Sequence, residues 1–156
     1  MPVRWMNRDE AWAFLAAGTE GRLATCDAAG QPYITPLNYL LHEEKLYFHC
    51  RLTGRKLENI AQNPRVCFEV SRSEKVKVCY EKACGCSTRY FSVLAFGTAS
   101  VVADPARKTG LLNRLVTRYA EGFPFPAVQP RDAESCTVVE IAIEEISGKR
   151  NVDPGE

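Results

Sequence analysis

Between Gly21 and Cys50 three apolar, β-prone runs follow one another: Gly21–Cys26, Tyr33–Leu41 and Lys45–Cys50. Only the short polar stretches around Asp27-Ala-Ala-Gly30 and His42-Glu-Glu44 separate them. Parallel neighbours need a crossover of roughly a dozen residues or more, so turns this short force antiparallel hairpins. The remaining strands fall at Arg65–Ser71, with Ser73–Cys79 continuing the ladder, at Tyr90–Ala103 and at Cys136–Ile146. A doubly wound parallel sheet would need a helix between most strand pairs, and the sequence has none there. The pattern predicts a mainly β fold with flanking helices: an antiparallel, Greek-key sheet closed into a small barrel.

Three helices carry their own start and stop signals. Asn7 caps the first, Glu10 stands three residues later to complete a capping box, and Gly18 ends it. The second, Arg55–Gln62, follows Thr53-Gly54 and stops before Asn63-Pro64. Asp104 caps the third, Pro105 suits its first turn, and it runs through Tyr119. Ala83–Thr88 reads as a loop and Gly122–Pro130 as an irregular, proline-rich connection.

A chain of 156 residues fits one domain, residues 1–156, with a core of about 7–149 and a polar tail over 150–156. Basic and acidic side chains balance at 20 and 19 and are scattered, which leaves no electrostatic footprint for nucleic acid. The most apolar long stretch, Phe91–Ala103, is too short for a membrane span and is broken by Gly97, Thr98 and Ser100. The N-terminus lacks the apolar core of a signal peptide, so the expected location is cytoplasmic. No G-x-G-x-x-G or P-loop motif occurs.

Seven cysteines, an odd number in a chain without an export signal, argue against a disulfide framework. Cys26, Cys50, Cys67 and Cys136 sit in apolar runs and read as small buried hydrophobes. Cys79, Cys84 and Cys86 crowd around Gly85 in a different way. They are candidates for a soft-metal site, although the spacing is not that of paired C-x-x-C ligands, or for a reversibly oxidised thiol beside Lys75, Lys77 and Lys82.

The segment Leu52-Thr-Gly-Arg-Lys-Leu-Glu-Asn-Ile-Ala-Gln-Asn-Pro64 carries the clearest chemistry. Gly54 lets the backbone turn where a strand ends, and Arg55 and Lys56 stand at a helix N-terminus. Unpaired amides, the helix dipole and two cations at one point favour a phosphate; the alternative is a solvated Arg-Lys pair opening an ordinary surface helix.

The run Gly21–Asn38, with Thr35-Pro-Leu-Asn38 at its end, resembles the opening of the pyridoxamine-phosphate-oxidase-like flavoproteins. Lys45-Leu-Tyr-Phe-His-Cys50, Gly54-Arg-Lys with Asn63-Pro-Arg-Val-Cys-Phe-Glu-Val70, and Tyr90–Gly97 resemble them too, in order and spacing, with the nitroimidazole-resistance branch most similar. The resemblance implies a split β-barrel that works as a homodimer, with FMN at the subunit interface. It assigns Arg55 and Lys56, with Gly54, to the FMN phosphate, and sets Thr35, Pro36, Leu37 and Asn38 against the flavin ring. Phe48 and His49 lie on the next strand bordering the flavin, and Ser92 reaches the cofactor from the partner subunit. His49 as a lone strand histidine reads more often as a satisfied packing residue; beside a flavin it would tune reduction or touch substrate, and some relatives of this fold bind haem, which would make it an iron ligand.

The function implied is FMN-dependent reduction of a small organic acceptor, for instance a nitroaromatic. The alternatives are a non-catalytic flavin- or haem-binding or sensing protein, and a cysteine-loop redox or metal switch on the same scaffold. Authentic pyridoxamine-phosphate oxidases carry Trp and Arg residues in a C-terminal segment. Here Glu145–Glu156 lacks Trp, so oxidation of a B6 vitamer is not expected.

Overall fold

The computed structural model describes residues 4–78, 86–120 and 122–151. Helix α1 spans Arg8–Ala17. Its box closes reciprocally: the Asn7 side chain accepts from the Glu10 amide at 2.9 Å, and the Glu10 carboxylate accepts from the Asn7 amide at 2.8 Å. Ala11 and Leu15 are the face it buries on the barrel. Two strands follow, β2 (Glu20–Cys26) and β3 (Pro32–Asn38). Their turn is tied by Asp27, whose carboxylate accepts from the amides of Ala29 and Gln31, with Gly30 at φ 81°. The next strands are β4 (Leu40–His42) and β5 (Lys45–Cys50), then helix α2 (Arg55–Gln62). Long strands β6 (Arg65–Lys77) and β7 (Ser87–Val101), helix α3 (Pro105–Tyr119), the short helix α4 (Pro130–Ala133) and β8 (Thr137–Asn151) complete the chain. The N-terminal pair Arg4–Trp5, β1, adds to β8.

All strand pairs are antiparallel and run in the order β3-β2-β6-β7-β8-β5-β4. The two end strands, β3 and β4, are consecutive in the chain. The chain itself therefore closes the ring at Tyr39, while hydrogen bonds close it elsewhere; this is a split barrel. Its interior is filled by Leu23, Phe48, Phe68, Val93, Val139 and Ile141, each at 0% exposure. A second cluster forms outside, where Leu111, Leu112 and Leu115 of α3 cover Leu40, Tyr47 and Val138.

Four sequence expectations change. The run Tyr33–Leu41 is two strands, because buried Tyr39 turns the chain from β2's side to β5's. The hydroxyl of Tyr39 donates to the Leu15 carbonyl, and its backbone amide and carbonyl both bond the Tyr119 hydroxyl, at 3.0 and 2.7 Å. The polar stretch after Ile146 remains strand as far as Asn151, paired with β7 and β1, so Arg150 and Asn151 belong to the sheet and not to a tail. Asn151 is buried, and its amide group donates to Ser87 Oγ and the Thr88 carbonyl. Gln129–Asp132, at the end of the irregular connection, nucleates α4 through its own capping box. Cys26, Cys50, Cys67 and Cys136 are half-buried rather than buried.

Candidate functional site

The open side of the barrel is the outer edge of β3, which pairs with β2 alone. An edge strand presents unpaired N–H and C=O groups along its length. Continuing the β4–β5 register back past Tyr39 sets Asn38 level with His49 and Leu37 with Cys50. From Cys50 the chain runs back along the slot to the start of α2, where the Arg55 guanidinium lies 4.9 Å from the centre of the Tyr33 ring. The slot is thus bounded by β3 on one side and by His49–Gly54 on the other. Its ends, the Tyr33 level and the Asn38 level, are about 17 Å apart at roughly 3.3 Å per residue.

At the Arg55 end, Gly54 is the N-cap of α2 with φ 137°, and no side chain caps this helix. The amides of Leu57 and Glu58 reach the Gly54 carbonyl at 2.9 and 3.2 Å. Those of Arg55 and Lys56 have no partner among the described residues. Arg55 is half-exposed, with Asp27 Oδ2 3.8 Å away as a partial counter-charge. Burial raises the Cys50 thiol above its usual pKa, and the field of the Lys56 ammonium opposes the rise. A helix N-terminus with free amides and two convergent cations is suited to a phosphate.

Strand alternation sorts the remaining candidates. Thr35 and Leu37 turn inward and Pro36 and Asn38 outward. The Thr35 hydroxyl is buried without a hydrogen-bond partner among the described residues. A desolvated, unpaired hydroxyl is costly and calls for a ligand. On β5, Phe48 fills the barrel interior, so its side chain cannot touch a ligand in the slot, whereas His49 shares the outward face of Tyr47. Two residues adjacent in a strand cannot both face one ligand. Ser92 lies in β7, opposite Ser71 and Lys149, and this chain does not bring it to Arg55 and Lys56.

Asn38 and His49 meet at a cleft of about 360 Å³ whose far wall is α3, through Leu112, Leu115, Val116 and Tyr119. This wall was not singled out from sequence; the apolar stripe of α3 was the available signal, but not what it covers. Helix α3 is held there by Glu140 of β8, which accepts from Lys45 Nζ at 2.8 Å, from the Tyr47 hydroxyl at 2.9 Å and from Arg107 of α3. Burial works to raise the Glu140 pKa, but these three donors outweigh it and hold the carboxyl below its ordinary value. Burial and the carboxylate together push the Tyr47 phenol up.

Of the candidate metal cysteines, Cys79 and Cys84 lie outside the described residues and Cys86 is exposed. No cluster of three or more potential metal ligands occurs among the described residues. No helix among them is long and apolar enough to cross a membrane.

Fold and slot together define a split-barrel protein with an anion-receptive helix end at its open edge. The chain belongs to the pyridoxamine 5'-phosphate oxidase family, whose model matches residues 7–150. An uncharacterised protein of Rhizobium meliloti (strain 1021) is 37% identical over 71 residues, 46% of this chain and 46% of that protein, so the match spans less than half of that relative. Among solved structures, a FAD-binding protein from Mesorhizobium loti superposes with a TM-score of 0.73 at 25% identity, covering 97% of this chain and 100% of the other. A candidate 5-nitroimidazole antibiotic resistance protein from Bacteroides thetaiotaomicron gives a TM-score of 0.78 at 21% identity, covering 96% and 87%.

Proposed function

We propose that the slot binds FMN and that the protein passes electrons through it to a small organic acceptor, a nitroaromatic being one such class. Arg55, Lys56 and the first amides of α2 hold the phosphate. The free edge of β3 from Thr35 to Leu37 receives the polar rim of the ring, with Asn38 and His49 at its far end. Bound flavin supplies the hydride or electron transfer; the protein supplies binding, orientation and electrostatics. The observation that carries this reading is the conjunction of an uncapped, cation-bearing helix N-terminus with an unpaired strand edge that holds the orphaned Thr35 hydroxyl. Family membership and the FAD-binding relative from Mesorhizobium loti support it. In this reading the active form is a homodimer with the cofactor between copies, and Ser92 is contributed by the second copy.

The test is titration of the purified protein with FMN, FAD and haem, followed by absorbance, on wild type and on Arg55→Ala/Lys56→Ala. Charge-assisted hydrogen bonds are worth ~1.5–3 kcal/mol, reduced to about 1 each for half-exposed cations. At 1.4 kcal/mol per decade, the double variant should bind FMN roughly thirtyfold more weakly with its fold unchanged. Unchanged affinity would remove the phosphate assignment. His49 is exposed at the cleft and makes no side-chain hydrogen bond among the described residues, which favours haem as the second reading. A Soret band lost in His49→Ala, without flavin binding, would put haem in the flavin's place.

A further inference from the structure

We propose that the cleft beneath α3 is a binding site for an uncharged, flat, mostly apolar molecule with hydrogen-bond acceptors on its edge, a quinone being the simplest redox-active class. No lysine, arginine, aspartate or glutamate lines it, and its wall is Leu112, Leu115 and Val116 with the ring of Tyr119. The Tyr119 hydroxyl is already committed to the backbone of Tyr39 and to the Thr19 carbonyl, at 2.6 Å in the latter case, so that residue offers a ring face and no donor. The polar groups left are Asn38 and His49, side by side at one end, neither hydrogen-bonded among the described residues. At about 360 Å³ the cleft falls in the ~300–1,000 Å³ range of small-molecule sites, which pair apolar walls with a few placed polar groups.

The rim points the same way. Residues 122–127 bridge between two cleft-lining positions, Ala120 and Val128. The Phe123 amide bonds the Ala120 carbonyl at 2.9 Å, and Asn113 clamps Val128 through its amide and its carbonyl, at 2.9 and 3.3 Å. The bridge carries Phe123 and Phe125, exposed by 76% and 37%. Two exposed phenyl rings thus stand on the segment that joins two residues of the cleft wall. A phosphorylated or carboxylated substrate finds no lysine or arginine here.

The cleft adjoins the proposed flavin slot at Asn38 and His49, so the inference is tested on the flavin-free protein. The probes are 2,3-dimethyl-1,4-naphthoquinone, whose blocked ring carbons do not add thiols, and 2-hydroxy-3-methyl-1,4-naphthoquinone, which shares the ring but is ionised at neutral pH. Calorimetry should show the neutral quinone binding at least tenfold more tightly than the anion. Asn38→Leu should weaken the quinone several-fold and leave 2,3-dimethylnaphthalene, which has no carbonyl, unaffected. Val116→Asp should lower quinone affinity at least tenfold with FMN affinity kept, and Arg55→Ala should do the reverse, which separates failure here from failure of the flavin reading. Equal affinity for the neutral and ionised quinones, measured on wild type and so independent of any variant's folding, would overturn the proposal. So would a Val116→Asp protein of native melting behaviour that binds the quinone unchanged.

Discussion

Glu140→Gln removes the charge from a carboxylate that is 9% exposed and is the common acceptor for Lys45, Tyr47 and Arg107. Arg107 lies in the first turn of α3, where its amide also bonds the capping carboxylate of Asp104 at 2.6 Å, so the network ties that helix to β5 and β8. Breaking a fully buried pair costs ~3–5 kcal/mol and an exposed one ~0.2–1. Here the acceptor is buried, but the Lys45 and Arg107 side chains are 40% and 47% exposed and can turn to water, which places the loss at about 2 kcal/mol. The folded pKa of Glu140 is depressed, so its contribution is fully present above the unfolded carboxylate value of ~4.3 and is lost as pH falls through the folded value. Urea unfolding of wild type and variant should therefore differ by about 2 kcal/mol at pH 7, or about 1 M in midpoint for a slope near 2 kcal/mol/M. Well below pH 4 the difference should shrink toward zero, because a neutral carboxyl and a carboxamide are near isosteres. A difference that persists in acid, or one under about 0.5 kcal/mol at neutral pH, would refute the idea that a charged Glu140 anchors α3.

Thr35→Val should leave the flavin-free protein as stable or more so, since the hydroxyl is buried without a partner, while lowering flavin affinity severalfold; thermal melts and titration read the two effects separately. Phe48→Ala should cost about 3–5 kcal/mol, seen as a large fall in melting temperature, because the side chain is at 0% exposure inside the barrel. Gly97→Ala should destabilise by several kcal/mol, because a Cβ there runs into the Ala142 carbonyl oxygen at the β7–β8 bulge; chemical denaturation against an Ala substitution at exposed Gly110 provides the control. Asn7→Ala should cost about 1 kcal/mol through loss of the α1 capping box, checked by the unfolding midpoint.

Local signals were legible wherever the physics is local. The Asn7–Glu10 box, Gly18, the Gly54 entry to α2 and the Asp104–Pro105 entry to α3 are decided by backbone groups within a few residues, and the helices start and stop where those residues stand. The bounds of β5 follow from its apolar run for the same reason. Arg55 and Lys56 were readable as an anion site from their place at a helix start, and the antiparallel, helix-flanked sheet from turn lengths too short for crossovers.

Tertiary structure decided what depends on distant partners. The apolar run Tyr33–Leu41 continues through Tyr39 with no glycine to break it; only Leu15 and Tyr119, brought in from α1 and α3, make Tyr39 a corner. Ser147–Asn151 falls beyond the expected end of the last strand because its side chains are polar, yet β7 and β1 need only its backbone, which every sequence provides. Alternation separates Phe48 from His49, but which of the two faces the slot was settled by the barrel closing around Phe48. The cleft that joins Asn38 to His49 exists because Glu140 and Arg107, thirty-three positions apart, hold α3 across the sheet, and no periodicity in a single chain segment encodes that meeting.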